Sequence, residues 1–78
     1  MPRYYFDLIT SEGITTDEQG QVMSGLDAMR REALQVLPDV ARDELPDGDR
    51  DVFAIRVRDE TGRYIFEATL SLKADWLD

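Results

Sequence analysis

Five carboxylates crowd one short stretch: Asp43, Glu44, Asp47, Asp49 and Asp51, around Pro46 and Gly48. Ca²⁺ takes several oxygen ligands, and an Asp-x-Asp spacing beside a glycine can supply them. An EF-hand loop must close on a glutamate at its twelfth position, but residues 47–58 close on Arg58. The stretch therefore reads as a solvated helix stop, and no metal ligand is assigned. A second group, Asp7, Arg56, Arg58 and Glu67, falls on alternate positions of strand-like segments. Arg56 and Arg58 could clamp an anion. Beside two carboxylates on the same face they read instead as a cross-strand ion-pair ladder, each pair contributing about 0.2–1 kcal/mol. Ser11, Thr15, Thr16, Ser24 and Ser71 are hydroxyls without an imidazole to activate them, because the chain contains neither His nor Cys. A Ser–Lys dyad would need Lys73, the only Lys, in a buried setting that depresses its pKa. A position near the end of a strand offers none. Gly13, Gly20, Gly25, Gly48 and Gly62 stand singly, so no phosphate loop forms. No catalytic, cofactor-binding or metal residue is assigned, and the expectation is a protein that is not an enzyme and carries no cofactor.

Composition narrows the partners. Seventeen acidic residues against nine basic ones leave a net charge of −8. Binding a nucleic acid requires clustered cations to displace its counterions, and here the cations are scattered and outnumbered. Direct binding to nucleic acid or to an anionic membrane is disfavoured. A basic protein partner is compatible, although net charge of this size also serves plain solubility. No apolar run approaches the roughly 20 residues of a membrane span, and Met1-Pro2-Arg3 leads straight into a strand-like segment without a signal core. A cytoplasmic address is expected. A chain of 78 residues makes a single domain (1–78), whose folding buries only about 60% of its surface.

The elements follow from periodicity. Arg3–Ile9 alternates, with Tyr4, Phe6 and Leu8 on its cleaner apolar face. A hairpin with a short second strand is expected near Gly13–Asp17, and Gln21–Met23 would carry the chain to a helix. Ser24 suits an N-cap, with Asp27 three residues on. Leu26, Met29, Ala33, Leu37, Val40, Ala41 and Leu45 then trace one helical stripe. Asp27 can reach Arg30 and Arg31 at helical spacing. Pro38 lacks an N–H and clashes with the preceding turn, so the helix either restarts there or continues with a kink. The stripe running past it favours the kink. Pro46-Asp47-Gly48-Asp49 stops the helix.

Asp51–Arg58 and Arg63–Lys73 complete a hairpin around Asp59-Glu60-Thr61-Gly62. Phe53, Ile55 and Val57 form one apolar face; Tyr64, Phe66, Ala68, Leu70 and Leu72 form the other. Opposed residues in a hairpin share a side. Pairing Val57 with Tyr64, Ile55 with Phe66 and Phe53 with Ala68 unites the two faces, and a register opposing Arg58 to Tyr64 would scramble them. The single Trp, Trp76, is expected to dock, since its burial gains a large apolar area; the other reading is a tail that binds a partner. The assembled architecture is α+β: a two-layer β-β-α-β-β fold with one helix on an antiparallel-rich sheet.

The start MPRYYFDL, the acidic segment Asp17-Glu18-Gln19-Gly20, the helical Arg31-Glu32-Ala33-Leu34 and the hairpin Val57-Arg58-Asp59-Glu60-Thr61-Gly62-Arg63 belong together. Over the whole chain they resemble a family of short proteins, a domain of unknown function abundant in rhizobia and related alphaproteobacteria. Arg31–Leu34 is similar to that family's Ala-x-x-Glu-Ala pattern, although Met29 and Arg30 precede it here. Pro38 departs from the uninterrupted helix the resemblance implies. The resemblance brings no catalytic or binding residues. A fainter likeness is to HicB-type antitoxins, through Glu32-Ala33, without their Pro-Asp-x-x-Gly-Cys segment.

One helix cannot cover both faces of a sheet. Alternation sends Tyr5, Ile9, Val52, Ala54, Arg56 and Ile65 to the far face, and these with Trp76 are the candidate interaction surface. A contiguous exposed apolar patch often marks a docking site. The expected function is a non-enzymatic protein-interaction or regulatory module that uses the outer sheet face or edge, with a second copy or another protein as partner. The alternatives are an antitoxin-like acidic partner of a basic toxin and a small-ligand or Ca²⁺-binding module.

Overall fold

The computed structural model describes residues 1–44 and 50–78. The chain forms β1 (Arg3–Thr10), β2 (Gly13–Thr15), β3 (Gln21–Val22), α1 (Leu26–Glu44), β4 (Arg50–Arg58) and β5 (Tyr64–Lys73). The strands make one antiparallel sheet in the order β2-β1-β4-β5, and β3 also pairs with β1. This is the expected α+β fold with one more strand. Gln21–Val22 is too short to show a period of its own. Its partner defines it, since Arg3 and Tyr4 pair with Val22 and Gln21.

β2 covers only the Leu8–Thr10 end of β1, and β3 covers only Arg3 and Tyr4. Between them the edge of β1 is open from Tyr5 to Asp7, and the loop after β2 folds over that opening. Gly20 makes the fold-over feasible. Its φ is +71°, and a Cβ there would lie 2.9 Å from both the Tyr4 carbonyl oxygen and Cε2 of Tyr5. Only glycine tolerates both the left-handed backbone and the contact.

The helix begins one residue later than the sequence suggests. Met29 N–H donates to the Gly25 carbonyl at 3.1 Å, which puts Gly25 rather than Ser24 at the N-cap. Asp27 then sits in the first turn, where the helix dipole favours a carboxylate. Among the described residues, the ion pair on the helix joins Asp39 and Arg42 at 3.3 Å, not Asp27 with Arg30 or Arg31. The helix is continuous through Pro38. Met29, Ala33, Leu37 and Ala41 are buried at steps of four on both sides of the proline, so packing holds the stripe in line. Pro38 and Leu34, whose carbonyl the proline leaves without an amide donor, both lie on the exposed side. Leu26, expected on the stripe, is 63% exposed at the helix start. Leu45 and the Pro46–Asp49 stop lie outside the described residues.

The core is built between that stripe and three side chains of β4. Phe53, Ile55 and Val57 are almost fully enclosed with Tyr4, Met29, Ala33, Leu37 and Ala41, and Phe6, Met23, Val36, Val40, Phe66 and Ala68 pack at its border. Each large β4 side chain contributes about 1.5–3 kcal/mol.

The hairpin register differs from the expected one. Val57 pairs with Phe66, Ile55 with Ala68 and Phe53 with Leu70, while Arg58 pairs with Tyr64. The expected scrambling does not follow, because a bulge between Val57 and Arg58 leaves Ile65 as an extra residue on β5. One added residue reverses the alternation. Phe66 onward keeps the helix side, and Tyr64 turns to the far side with Arg58. The turn itself is held by Asp59, whose Oδ1 accepts from the Thr61 and Arg63 amides and the Thr61 hydroxyl. Gly62 takes a φ of +88°.

Two glycines therefore predict unequal costs. Gly62→Ala meets no neighbour within 4 Å and should cost about 1–2 kcal/mol for the left-handed backbone alone. Gly20→Ala adds a clash with the Tyr4 carbonyl and should lower the urea midpoint more, with an unchanged m-value. Equal midpoints for the two variants would contradict the account of the loop closure.

Candidate functional site

Asp7 is the most telling polar residue because it is a charge on the far face with only 2% exposure. Arg58, two residues beyond its direct cross-strand neighbour Arg56, reaches back to it. Nε donates to Oδ2 at 2.9 Å and Nη2 to Oδ1 at 2.9 Å, a bidentate pair. The Tyr64 hydroxyl donates to Oδ2 at 2.8 Å, and the Asp17 amide donates to Oδ1 at 3.0 Å. The two oxygens accept four bonds, which is the capacity of a carboxylate.

Asp17 closes the opening on β1. Its Oδ2 accepts from the Phe6 amide at 3.0 Å, where a neighbouring strand would otherwise supply a carbonyl. Its Oδ1 accepts from the Gln19 and Gly20 amides, and its carbonyl accepts from Nη2 of Arg58 at 2.7 Å. The Arg58 guanidinium also lies 5.0 Å from the Tyr5 ring centroid, within cation–π range. These bonds tie β1, β4, the start of β5 and the loop after β2 to one another in a polar knot.

The electrostatics follow from the geometry. The Arg58 hydrogen bond holds the Asp7 carboxyl below the ordinary aspartate value of 3.8; burial opposes this, and the Asp17 amide and Tyr64 hydroxyl assist. Burial also works against ionisation of Asp17, but the amides of Phe6, Gly20 and Gln19 together outweigh it, and that carboxyl too titrates below 3.8. The Tyr64 phenol is pushed up, first by its bond to Asp7, so it stays a neutral donor. A general base working near neutrality needs a raised carboxyl pKa and a vacant lone pair, and Asp7 has neither. Arg58 is likewise engaged and is not the anion clamp considered from the sequence. The ladder reading survives in Arg56 and Glu67, which are opposed across β4 and β5 at 3.5 Å with both side chains about half exposed. Lys73 is exposed beside Asp75 at 3.8 Å, not in a setting for a Ser–Lys dyad. Among the described residues no cluster of three metal-ligating side chains occurs, and no helix is long and apolar enough to cross a membrane. Of the five crowded carboxylates, Asp47 and Asp49 lie outside the described residues, as do the side chains of Glu44 and Asp51.

Residues 3–71 match the family described as a domain of unknown function, DUF6894. The chain belongs to that family. The match carries neither a taxonomic group nor a link to HicB-type antitoxins. No curated protein and no solved structure matches the chain.

In this DUF6894 domain the structure brings part of the expected interaction surface together, with Ile9 opposite Ala54 across β1 and β4 and Val52 two residues along β4 on the same face, and sets Tyr5, Ile65 and Trp76 apart from it. Tyr5 is half-buried beneath Arg58, and Ala54 is only 7% exposed, between Ile9 and Thr69 on the neighbouring strands. Ile9 is half-buried, Val52 is exposed, and Arg56 is on the ladder. Ile65 is the bulge residue. It lines a groove of about 550 Å³ with Pro2, Tyr4 and Leu26, on the helix side, so its assignment to the far face was undone by the bulge. Trp76 does not dock: it is 95% exposed, and Leu77 is 98% exposed. The far face is therefore not a continuous apolar patch, because the polar knot divides it. Sequence reasoning missed Asp17 and Tyr64. An aspartate three residues before a glycine marks the local turn, but that it seals a gap in β1 depends on where β2 and β3 pair.

The knot gives two measurable consequences. Arg58→Met strands a buried carboxylate and should cost about 3–5 kcal/mol, a large share of the roughly 4–12 kcal/mol available to a domain of this length. Tyr64→Phe should cost less, about 1.5–3 kcal/mol. Asp7 and Asp17 have lowered folded pKa values, so their stabilisation is complete above 3.8 and is lost as pH falls through the folded values. The stability gap between wild type and Arg58→Met should accordingly be widest near neutral pH and narrow on acidification, because without Arg58 burial alone acts on Asp7 and its carboxyl takes up a proton at higher pH than the paired one does. Urea titrations at several pH values check this; a gap independent of pH would contradict the charge pairing.

Proposed function

We propose that this domain is a non-enzymatic protein-interaction module that works through the edge of β5. The reading is supported by one observation above the others: β5 is a ten-residue strand at the end of the sheet, and among the described residues nothing pairs with its outer side. Natural sheets blunt such edges with charge, proline, bulges or a covering segment. β5 has a bulge at its start and two charges, Glu67 and Lys73, and between them runs the uncharged sequence Ala68-Thr69-Leu70-Ser71-Leu72. Thr69, Leu70 and Ser71 are exposed. A strand with this edge can add another strand, with backbone bonds giving affinity and alternate side chains giving specificity. The saturation of Asp7 supports the non-enzymatic part of the reading, since the buried carboxylate and its arginine hold each other.

Photo-crosslinking in the native cell tests the edge. A crosslinker at Thr69 or Ser71 should yield discrete protein adducts, and one at Arg31, exposed on α1, should not. Adducts of equal yield and pattern from all three positions, or none from β5, would overturn the proposal.

A further inference from the structure

We infer that the strand taken up by the β5 edge is the β5 of a second copy, in a two-fold pair centred on Leu70, with each copy's Trp76 seated in the groove beside the other's Ile65. The inference rests on the reading of β5 as the interaction edge and names its partner.

The strand is self-complementary about Leu70. In an antiparallel pair with the axis there, Leu70 faces Leu70, Thr69 faces Ser71, Ala68 faces Leu72, and Glu67 faces Lys73. A two-fold interface repeats each off-axis contact with the roles exchanged, and in this register the three repeated pairs are chemically matched: a charge pair at 67 and 73, an apolar pair at 68 and 72 and a hydroxyl pair at 69 and 71, with Leu70 against itself on the axis. Opposite charges and hydroxyl pairs are among the favourable cross-strand neighbours, and here both fall on the far side. Alternation keeps Ala68, Leu70 and Leu72 on the helix side, so the two helices lie over one continuous ten-stranded sheet.

The residues after β5 supply the second observation. Trp76 and Leu77 are almost fully exposed, and Trp76 lies six residues beyond the axis. Antiparallel pairing carries it to the partner's Tyr64–Ile65, six and five residues on the other side. Alternation continued past Lys73 puts Ala74 and Trp76 on the helix side, the side of the groove whose apolar walls are Pro2, Tyr4, Leu26 and Ile65 and whose remaining lining, Arg3 and the Asp59–Arg63 turn, is polar. Leu26 at 63% and Ile65 at 37% exposure leave its apolar walls accessible. Two tryptophans would bury about 300–500 Å² between them, a third to a half of the roughly 1,000 Å² that a specific interface needs, before the strand pair and the two Leu77 side chains are added.

Sedimentation equilibrium and the emission of the single tryptophan test the pair on the full chain. The expected result is a concentration-dependent dimer whose emission shifts to the blue as it forms. Glu67→Lys and Lys73→Glu each set like charges opposite one another twice per dimer and should weaken association by about fivefold or more. The double variant E67K/K73E restores both pairs and should recover the wild-type constant. Trp76→Ala removes a side chain the isolated copy does not pack, so it should leave far-UV circular dichroism unchanged while weakening the dimer. A monomer at all concentrations with the emission of an exposed tryptophan would overturn the inference, as would a dimer in which the double variant is no better than the single ones. If the pure chain is a monomer while crosslinkers on β5 still capture a different protein, the edge reading stands and self-pairing falls. If β5 yields no adduct at all, both fall.

Discussion

A single buried carboxylate governs how this sheet can be assembled. Asp7 sits in the second layer of a domain too small to hide a charge without a designated partner, and Arg58 reaches it from the adjoining strand. A buried pair of this kind is weak evidence for net stability, since an apolar pair of the same shape can do as well. What it provides is selection among arrangements. A one-residue slip of β1 against β4 would turn Asp7 into the core among Phe53, Ile55 and Val57, where nothing could receive its charge. The knot thus penalises wrong registers more strongly than it rewards the right one.

The same residue organises parts of the chain distant in sequence. Through Oδ1 it holds the loop at Asp17, and through Oδ2 it holds Tyr64 at the start of β5. Asp17 in turn occupies the place of a missing strand on β1, which is why β2 and β3 can be as short as three and two residues. Hydrophobic burial under α1 supplies the bulk of the folding energy, but it is indifferent to how the loops cross the sheet. The directional bonds around Asp7 settle that question.

Much of this was legible from periodicity. The helix stripe and the apolar face of β4 are written in side chains that repeat at 3.6 and 2.0, and the structure buries Met29, Ala33, Leu37 and Ala41 of the one and Phe53, Ile55 and Val57 of the other. Pro38 shows the limit of local rules, because the stripe on either side of it outweighs the break that proline favours. What stayed hidden depends on pairing rather than on pattern. Val22 acquires a strand only by lying next to Arg3. Tyr64 reads as an apolar strand residue, and its assignment to the core assumed a regular hairpin. The docking of Trp76 was expected from the area it could bury, but among the described residues no surface of this copy receives it.

The bulge at Ile65 connects the interior of the domain to its open edge. A regular β5 could not satisfy both ends of the strand at once: the alternation that sends Phe66 and Ala68 to the helix would send Tyr64 there too, leaving Oδ2 of Asp7 one donor short. Inserting one residue turns the phenol to the carboxylate and, by the same geometry, turns Ile65 out beside Leu26. The apolar wall at the groove is thus a by-product of satisfying a buried charge. That origin explains why an aliphatic side chain stands exposed next to an edge strand in so acidic a chain, and it ties the shape of the proposed docking surface to the interaction on which the register depends.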